Sequence, residues 1–347
     1  MGTKLRVATT GTGYFSQFHY NAWSTMEDVE LVAICNRSQA SAEEFAKRYN
    51  IAAVYGDLNK LLNENEVDIL DIITPPVTHP DYVRAALEHN ITVICQKPFT
   101  PTLEQAKALV ADIESTNGKV VIHENFRFQP WYGQIKLMLD EGLLGDLYQI
   151  SFRLRPGDGQ GPEAYLDRQP YFQEMERFLV HETAIHLIDV FRYLFGEVQS
   201  VFAQLNKLNP VISGEDAGII LFNFENGARG LFDGNRLADH IAQNRRLTMG
   251  ELVVEGSKAT LRLNGNGEIF IRPHGSNDEQ PVQYSWENTG FGGDCVRRVN
   301  QHVVDHLTNN TPLMNTAKEY MTNLQIEQAV YTSSESGSCI ALGTNNQ

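Results

Sequence analysis

The chemistry in this sequence is concentrated in a few short runs. Gly11-Thr-Gly13-Tyr-Phe-Ser16 follows an apolar run at 5–9 and opens a helical pattern. Glycines in that place allow a tight turn and let a pyrophosphate approach backbone N–H groups at the positive end of a helix. Gly11, Gly13, Tyr14 and Phe15 are therefore candidate dinucleotide contacts. Such a turn alone is weak evidence; its position between a strand and a helix gives it weight. Asn36-Arg37-Ser38 closes the next apolar run, where a ribose-reading residue belongs. Asn36 can bond a ribose hydroxyl without carrying charge, and Arg37 can pair a phosphate or stack on adenine. The plainer alternative is that these residues turn the chain and cap a helix. They support a dinucleotide and leave NAD and NADP both open.

Thr74-Pro-Pro-Val-Thr-His79 and Gln96-Lys97-Pro98 both lie at strand ends, where open α/β sheets bind ligands. A lysine partly removed from water there has its charged form penalised and can take part in proton transfer. A surface lysine before a loop proline is the commoner fate. Glu182, His186 and Asp189 stand four and then three residues apart, on one face of a predicted helix. Among Ile185, Ile188, Phe191 and Leu194, three ionisable groups are costly unless they serve a site. The alternative is a capping glutamate with a core histidine. His181 and His186 are five residues apart, about 140° round an α-helix, so no metal site is expected. Arg153 and Arg155 can contact a polar ligand or decorate an exposed strand. Trp131, Tyr132, Tyr165, Tyr171 and Phe172 can wall a pocket or pack a core.

Two kinds of layer are needed to position these residues. Apolar runs at 5–9, 30–35, 68–73, 91–95 and 119–123 alternate with helical patterns at 41–48, 78–88 and 102–115. Thr102-Leu-Glu-Gln105 has the form of a capping box. Runs this apolar fit parallel strands buried on both faces, so residues 1–124 read as a doubly wound α/β Rossmann domain. After a helix at 132–140 come alternating strands at 148–155, 198–205, 217–224, 228–235, 252–255, 259–263 and 268–272. Helices are expected at 182–195, 293–307 and 317–334. Residues 125–347 thus read as an α+β domain on a large, mostly antiparallel sheet. The alternating second face of that sheet suggests a homo-oligomer, a dimer or tetramer.

With 28 Lys+Arg against 43 Asp+Glu, the formal charge is −15, which disfavours nucleic acid and acidic membranes as partners. No apolar run approaches the roughly 18–20 residues of a membrane span. The first residues show no signal-peptide pattern. Cys35, Cys95, Cys295 and Cys339 are dispersed, as expected of free thiols in a reducing, cytoplasmic compartment.

Taken in order, six pieces resemble the motifs of the Gfo/Idh/MocA family of sugar and inositol oxidoreductases. They are the glycine turn, Thr74-Pro75…His79, Gln96-Lys97-Pro98, Glu124-Asn125-Phe-Arg127-Phe-Gln-Pro130, Gly142-Leu-Leu-Gly145 and Glu182-Thr-Ala-Ile-His186-Leu-Ile-Asp189. The resemblance runs from residue 5 to about 335. Gln96 stands where that family usually has Glu, and Glu182 where it usually has Asp. The resemblance implies NAD as cofactor, with Thr74, His79, Gln96, Lys97 and Asn125 beside it and Arg127 bracing the domain junction. It also implies a small-molecule sugar substrate, oxidised by hydride transfer to the nicotinamide. His186 would take the hydroxyl proton, Lys97 polarise the hydroxyl and Glu182 orient the site, with the first two free to exchange roles. The runs at 96–99, 123–132 and 181–186 look most like the branch that oxidises the anomeric carbon of a branched furanose to a lactone. Inositol or another aldose is the alternative substrate. A glycosidase using NAD transiently and a non-catalytic dinucleotide-binding regulator are the rival functions.

Overall fold

Strands without a polar face must be covered on both sides, and helices returning between them do this. In the computed structural model, which describes residues 4–343, the strands are β1 (Leu5–Thr10), β2 (Val29–Cys35), β3 (Ala53–Tyr55), β4 (Ile69–Ile72), β5 (Thr92–Gln96) and β6 (Val120–His123). Between them run α1 (Ser16–Ser24), α2 (Gln39–Tyr49), α3 (Leu58–Glu64), α4 (His79–Glu88) and α5 (Leu103–Ser115). The sheet order is β3-β2-β1-β4-β5-β6 and every pairing is parallel, the doubly wound arrangement expected. Every residue of β4 and β6 is buried. Thr102 caps α5 as its motif requires, accepting from Gln105 N at 3.2 Å. Sequence patterning does not foresee β3 or α3, because three and seven residues are too few for a period to show.

The later part of the chain contains α6 (Pro130–Asp140), β7 (Leu147–Leu154), a π-helical turn at Leu179–Ala184 and α7 (Ile185–Phe195). Then come β8 (Val198–Asn206), β9 (Ala217–Phe224), β10 (Arg229–Asn235), β11 (Gly250–Gly256), β12 (Ala259–Leu263), β13 (Ile269–Pro273) and β14 (Gln280–Pro281). Helices α8 (Cys295–Asn309) and α9 (Ala317–Ser336) precede β15 (Ile340–Ala341). The sheet order is β14-β13-β12-β11-β7-β10-β9-β8-β15. Only the β7–β10 pair in it is parallel. Its inner face packs on α7: Phe191 meets Phe222 edge-on at 5.5 Å, and Phe195 lies 5.5 Å from Phe224. Ile219 and Leu221 alternate with buried neighbours and, like Tyr148 on β7, stay about half exposed. Among the described residues no helix is long and apolar enough to cross a membrane.

The chain divides into two compact units, Met1–Asn125 with Asp294–Thr322, and Phe126–Gly293 with Asn323–Gln347. Residues 294–322 depart from the reading that placed everything after 124 in one domain. The reason is the apolar stripe of α8: Val303 and Val304 join Val7, Trp23, Met26, Val29, Ile69, Ile94 and Val121 in one core cluster. Asn315 O also accepts from Ile122 N at 2.8 Å, extending the edge of β6. Val303→Ala should therefore lower stability by about 2 kcal/mol, whereas Arg298→Ala, on the exposed face of α8, should change it by less than about 0.5 kcal/mol. Urea unfolding of the two variants checks this; equal midpoints would show that α8 is peripheral.

Candidate active site

In the first unit the candidate residues gather at the carboxyl ends of the strands. Gly11 has φ +95°, and a Cβ there would lie 3.0 Å from the Ile73 carbonyl, so the fold itself demands glycine. At Gly13 a Cβ would meet nothing within 4 Å, which leaves room for a ligand against the backbone. The turn is held from behind. Gly11 N donates to Cys35 O at 3.0 Å, Tyr20 Oη to Gly11 O at 3.1 Å, and buried Ser16 Oγ to Gly13 O at 2.6 Å. Tyr14 is partly exposed beside it, and Phe15 packs on Phe18 at 5.1 Å. After β2, Asn36 Nδ2 donates to Ser38 O at 3.1 Å and Ser38 Oγ accepts from Ser41 N at 3.4 Å. The capping alternative thus describes Asn36 and Ser38, while Arg37 is exposed.

Thr74 and Thr78 hydroxyls meet at 2.6 Å after β4. His79 differs from its expected part as a cofactor contact. It is fully buried, with Nε2 2.7 Å from Thr74 O and Nδ1 3.1 Å from Phe99 O. Both ring nitrogens face backbone carbonyls, one from each of two strand-end loops; the nitrogen that carries the proton donates to one of them, and neither nitrogen is turned to a ligand. Burial pushes its pKa down, against the pull of those carbonyls.

After β5, Gln96 Oε1 accepts from the Lys97 backbone N–H at 2.7 Å, and Gln96 Nε2 lies 3.1 Å from His19 Nε2. His19 Nδ1 is 2.9 Å from Asp71 Oδ2, which also accepts from Trp23 Nε1 at 2.7 Å. Sequence reasoning missed His19, Trp23 and Asp71, whose only local sign is a carboxylate inside the apolar run of β4. Lys97 is half-buried. Asn125, after β6, is buried and its Oδ1 has no hydrogen-bond partner among the described residues, as with Thr10 Oγ1 at the end of β1. Orphaned buried polar atoms call for a partner. With the open backbone at Gly13, they fit a bound dinucleotide.

The second unit holds the other set. Glu182 does not share an α-helical face with His186, because Leu179–Ala184 is a π-helical turn and the α-helix begins only at Ile185. Glu215 fixes that turn, its Oε1 accepting from Phe178 N, Val180 N and Tyr331 Oη at 3.2, 3.0 and 2.7 Å. π-turns of this kind concentrate at functional sites. His186 is buried and stacked on Phe126, rings 4.1 Å apart and 8° from parallel. The next residue, Arg127, makes a bidentate pair with Asp189 at 2.6 and 2.6 Å, and Asn323 Nδ2 adds 2.7 Å to the same carboxylate. Asp189 is thus an anchor, and two consecutive side chains clamp two residues three apart on α7.

Glu182 acts on Arg236 and Tyr171. Burial first, then Glu182, pushes the Tyr171 hydroxyl up to about 12. Arg236 is buried and donates to Tyr165 Oη at 2.7 Å, Thr183 Oγ1 at 2.5 Å and Asp158 Oδ2 at 3.0 Å. Burial pushes the Asp158 carboxyl up, but Arg236 and Arg168 outweigh it and leave it below its ordinary value. Tyr165, Phe172, Trp131 and Tyr132 are core, and Tyr171 is half exposed. Arg153 is exposed near Glu251, and Arg155 pairs with Asp233 at 2.6 Å. Among the described residues no His, Cys, Asp and Glu side chains group to hold a metal.

Residues 5–124 match the family model described as the oxidoreductase family, NAD-binding Rossmann fold, of Gfo/Idh/MocA type. Residues 132–262 match the Gfo/Idh/MocA C-terminal domain. The chain belongs to the Gfo/Idh/MocA family and is an NAD-dependent oxidoreductase. It is 28% identical to a D-apiose dehydrogenase of Rhizobium rhizogenes (strain K84), covering 98% of each chain. Against a D-apiose dehydrogenase of Paraburkholderia graminis the identity is 29%, covering 98% of this chain and 90% of that one. Its fold matches the crystal structure of an oxidoreductase from Agrobacterium radiobacter in complex with NAD+, L-tartaric acid and magnesium. The TM-score is 0.87 at 26% identity, covering 98% of both chains.

Two outcomes test the second unit. Asp189→Ala removes the bidentate partner of the largely buried Arg127 guanidinium and should cost about 3 kcal/mol, while the double variant Asp189→Leu/Arg127→Met should cost less than the sum. Additive losses in denaturant titration would contradict the pairing. For Asp158, whose folded pKa is depressed, the contribution is complete above about pH 4 and is lost as the pH falls through the lower folded value. Asp158→Asn should therefore flatten the acid limb of stability against pH; an unchanged limb would assign that limb to other carboxylates.

Proposed function

We propose that this enzyme oxidises a small sugar, D-apiose by preference, at its anomeric carbon to the lactone. The observation that supports this most is that each unit carries an ordered set of its own. Lys97 follows a strand end beside the glycine turn, its backbone held by Gln96, and His186 sits on a clamped helix next to a π-turn carrying Glu182. Gly11, Gly13, Tyr14 and Phe15 receive the pyrophosphate, Asn36 and Arg37 the adenosine ribose, and Asn125 Oδ1 and Thr74 the nicotinamide end. NAD, when bound, supplies the hydride acceptor. Lys97 polarises the reacting hydroxyl, and His186 accepts its proton as the carbon gives up hydride. Glu182 orients the hydroxyls of the sugar; the neutral charge balance of Glu182, Asp158, Arg168 and Arg236 suits an uncharged polyol. The substrate name is supported by relatives near 28–29% identity over almost the whole chain.

The apolar outer face of the nine-stranded sheet, with Ile219 and Leu221 exposed, supports a homo-oligomer formed through the second unit. A monomer by light scattering at micromolar concentration would contradict that.

Lys97→Met should abolish turnover with little change in NAD affinity, and His186→Ala should do likewise. NADH formation is measured with D-apiose, xylose, glucose and myo-inositol under identical conditions, with product analysis for a lactone or its acid. Apiose inert beside an active pyranose or inositol would overturn the substrate and keep the dehydrogenase; hydrolysis without net NADH would favour the glycosidase, and no turnover at all the regulator. NAD should exceed NADP in specificity constant. A preference of about tenfold for NADP, roughly 1.4 kcal/mol, would reverse the cofactor assignment.

A further inference from the structure

We propose that Asp71 and His19 form a buried positioning relay that holds the Gln96 amide, and through it the Lys97 backbone, in one orientation, with His19 kept as the neutral Nδ1–H tautomer. This rests on the reading of Lys97 as a proton-handling residue. A backbone N–H can only donate. The Gln96 atom 2.7 Å from Lys97 N is therefore the oxygen, and the same amide must present its NH2 to His19. His19 Nε2, 3.1 Å from that NH2, is then an acceptor and carries no proton. The single ring proton sits on Nδ1 and goes to Asp71 Oδ2 at 2.9 Å. Trp23 Nε1, a donor with no other state, fills a second lone pair of the same oxygen at 2.7 Å.

Every link is thus directional, and His19, Asp71 and Trp23 are all shut off from solvent. The groups facing His19 are Asp71 from β4, Gln96 from β5, His123 from β6 with its ring 4.1 Å away, and Phe15 at 5.8 Å. A carboxylate at 96 would reverse the logic. One oxygen would stay on Lys97 N, the other would face His19 Nε2, and that nitrogen would have to gain a proton. Glutamine therefore keeps an imidazolium flanked by two carboxylates out of the sheet beneath Lys97.

The test uses the full chain with 15N-labelled histidine, the His19 signals being assigned by their loss in His19→Gln. His19 should show one protonated ring nitrogen, Nδ1, and Gln96→Glu should show both nitrogens protonated. A protonated Nε2 in the unaltered enzyme overturns the proposal. In kinetics, Gln96→Met should lower kcat about 10–100-fold through misplacement of Lys97, with NAD affinity within about threefold, and adding His19→Gln should lower it little further. Unchanged kcat in Gln96→Met beside an inactive Lys97→Met overturns the relay and leaves the function standing. An active Lys97→Met overturns the functional reading instead, and the nitrogen assignment then decides the relay by itself.

Discussion

A carboxylate in the middle of a parallel sheet is the feature to which the first unit is built. Asp71 lies on β4, in register with Thr9 of β1 and Ile94 of β5, and has no access to water. An ion so placed is tolerated only where directed donors meet it. Two donors come from α1, Trp23 and His19, so the helix that carries the glycine turn is tied to the sheet at a defined height. His19 then reaches across to Gln96, which holds the backbone of Lys97. One buried charge thus relates the helix that follows the glycine turn to the backbone of Lys97.

The second unit solves a similar problem with a different device. An α-helix entering at Glu182 would have continued the periodic face of α7. The π-helical turn shifts the side chains of 179–184 out of that period, and Glu215 satisfies the backbone N–H groups the irregular turn would leave bare. Beyond it, Phe126 and Arg127 reach His186 and Asp189 separately, one by stacking and one by a bidentate ion pair. A histidine held by its flat face has its rotation restricted, and it sits on an element whose own position is locked by the ion pair.

Strong charges in this protein are therefore mostly structural. Asp71, Asp189 and Arg236 are buried and Asp158 is half-buried, and each meets specific donors or acceptors. They hold loops and helices in place around the elements that carry Lys97, His186 and Glu182. That division agrees with a chemistry whose difficult step belongs to the cofactor and whose protein contribution is orientation and proton handling.

The sequence by itself determined the alternation of strand and helix, the parallel sheet and the later antiparallel one, because burial on one face or two is written in local period. It also determined the glycine at 11 and the cap at Thr102, since both follow from backbone geometry within a few residues. The partner of Asp71 was not legible: His19 lies 52 residues away and looks like any histidine on a helix. Nor was the π-turn, which depends on Glu215, 37 residues from Phe178. The spacing of 182, 186 and 189 suggested one face, and only the tertiary contacts showed that Asp189 belongs to Arg127. An amphipathic pattern at 295–309 announces a helix but not which core it will cover, and its valines were claimed by β1, β4 and β6. Local chemistry sets the elements; pairing between buried groups far apart in the chain sets which charges are spent on structure.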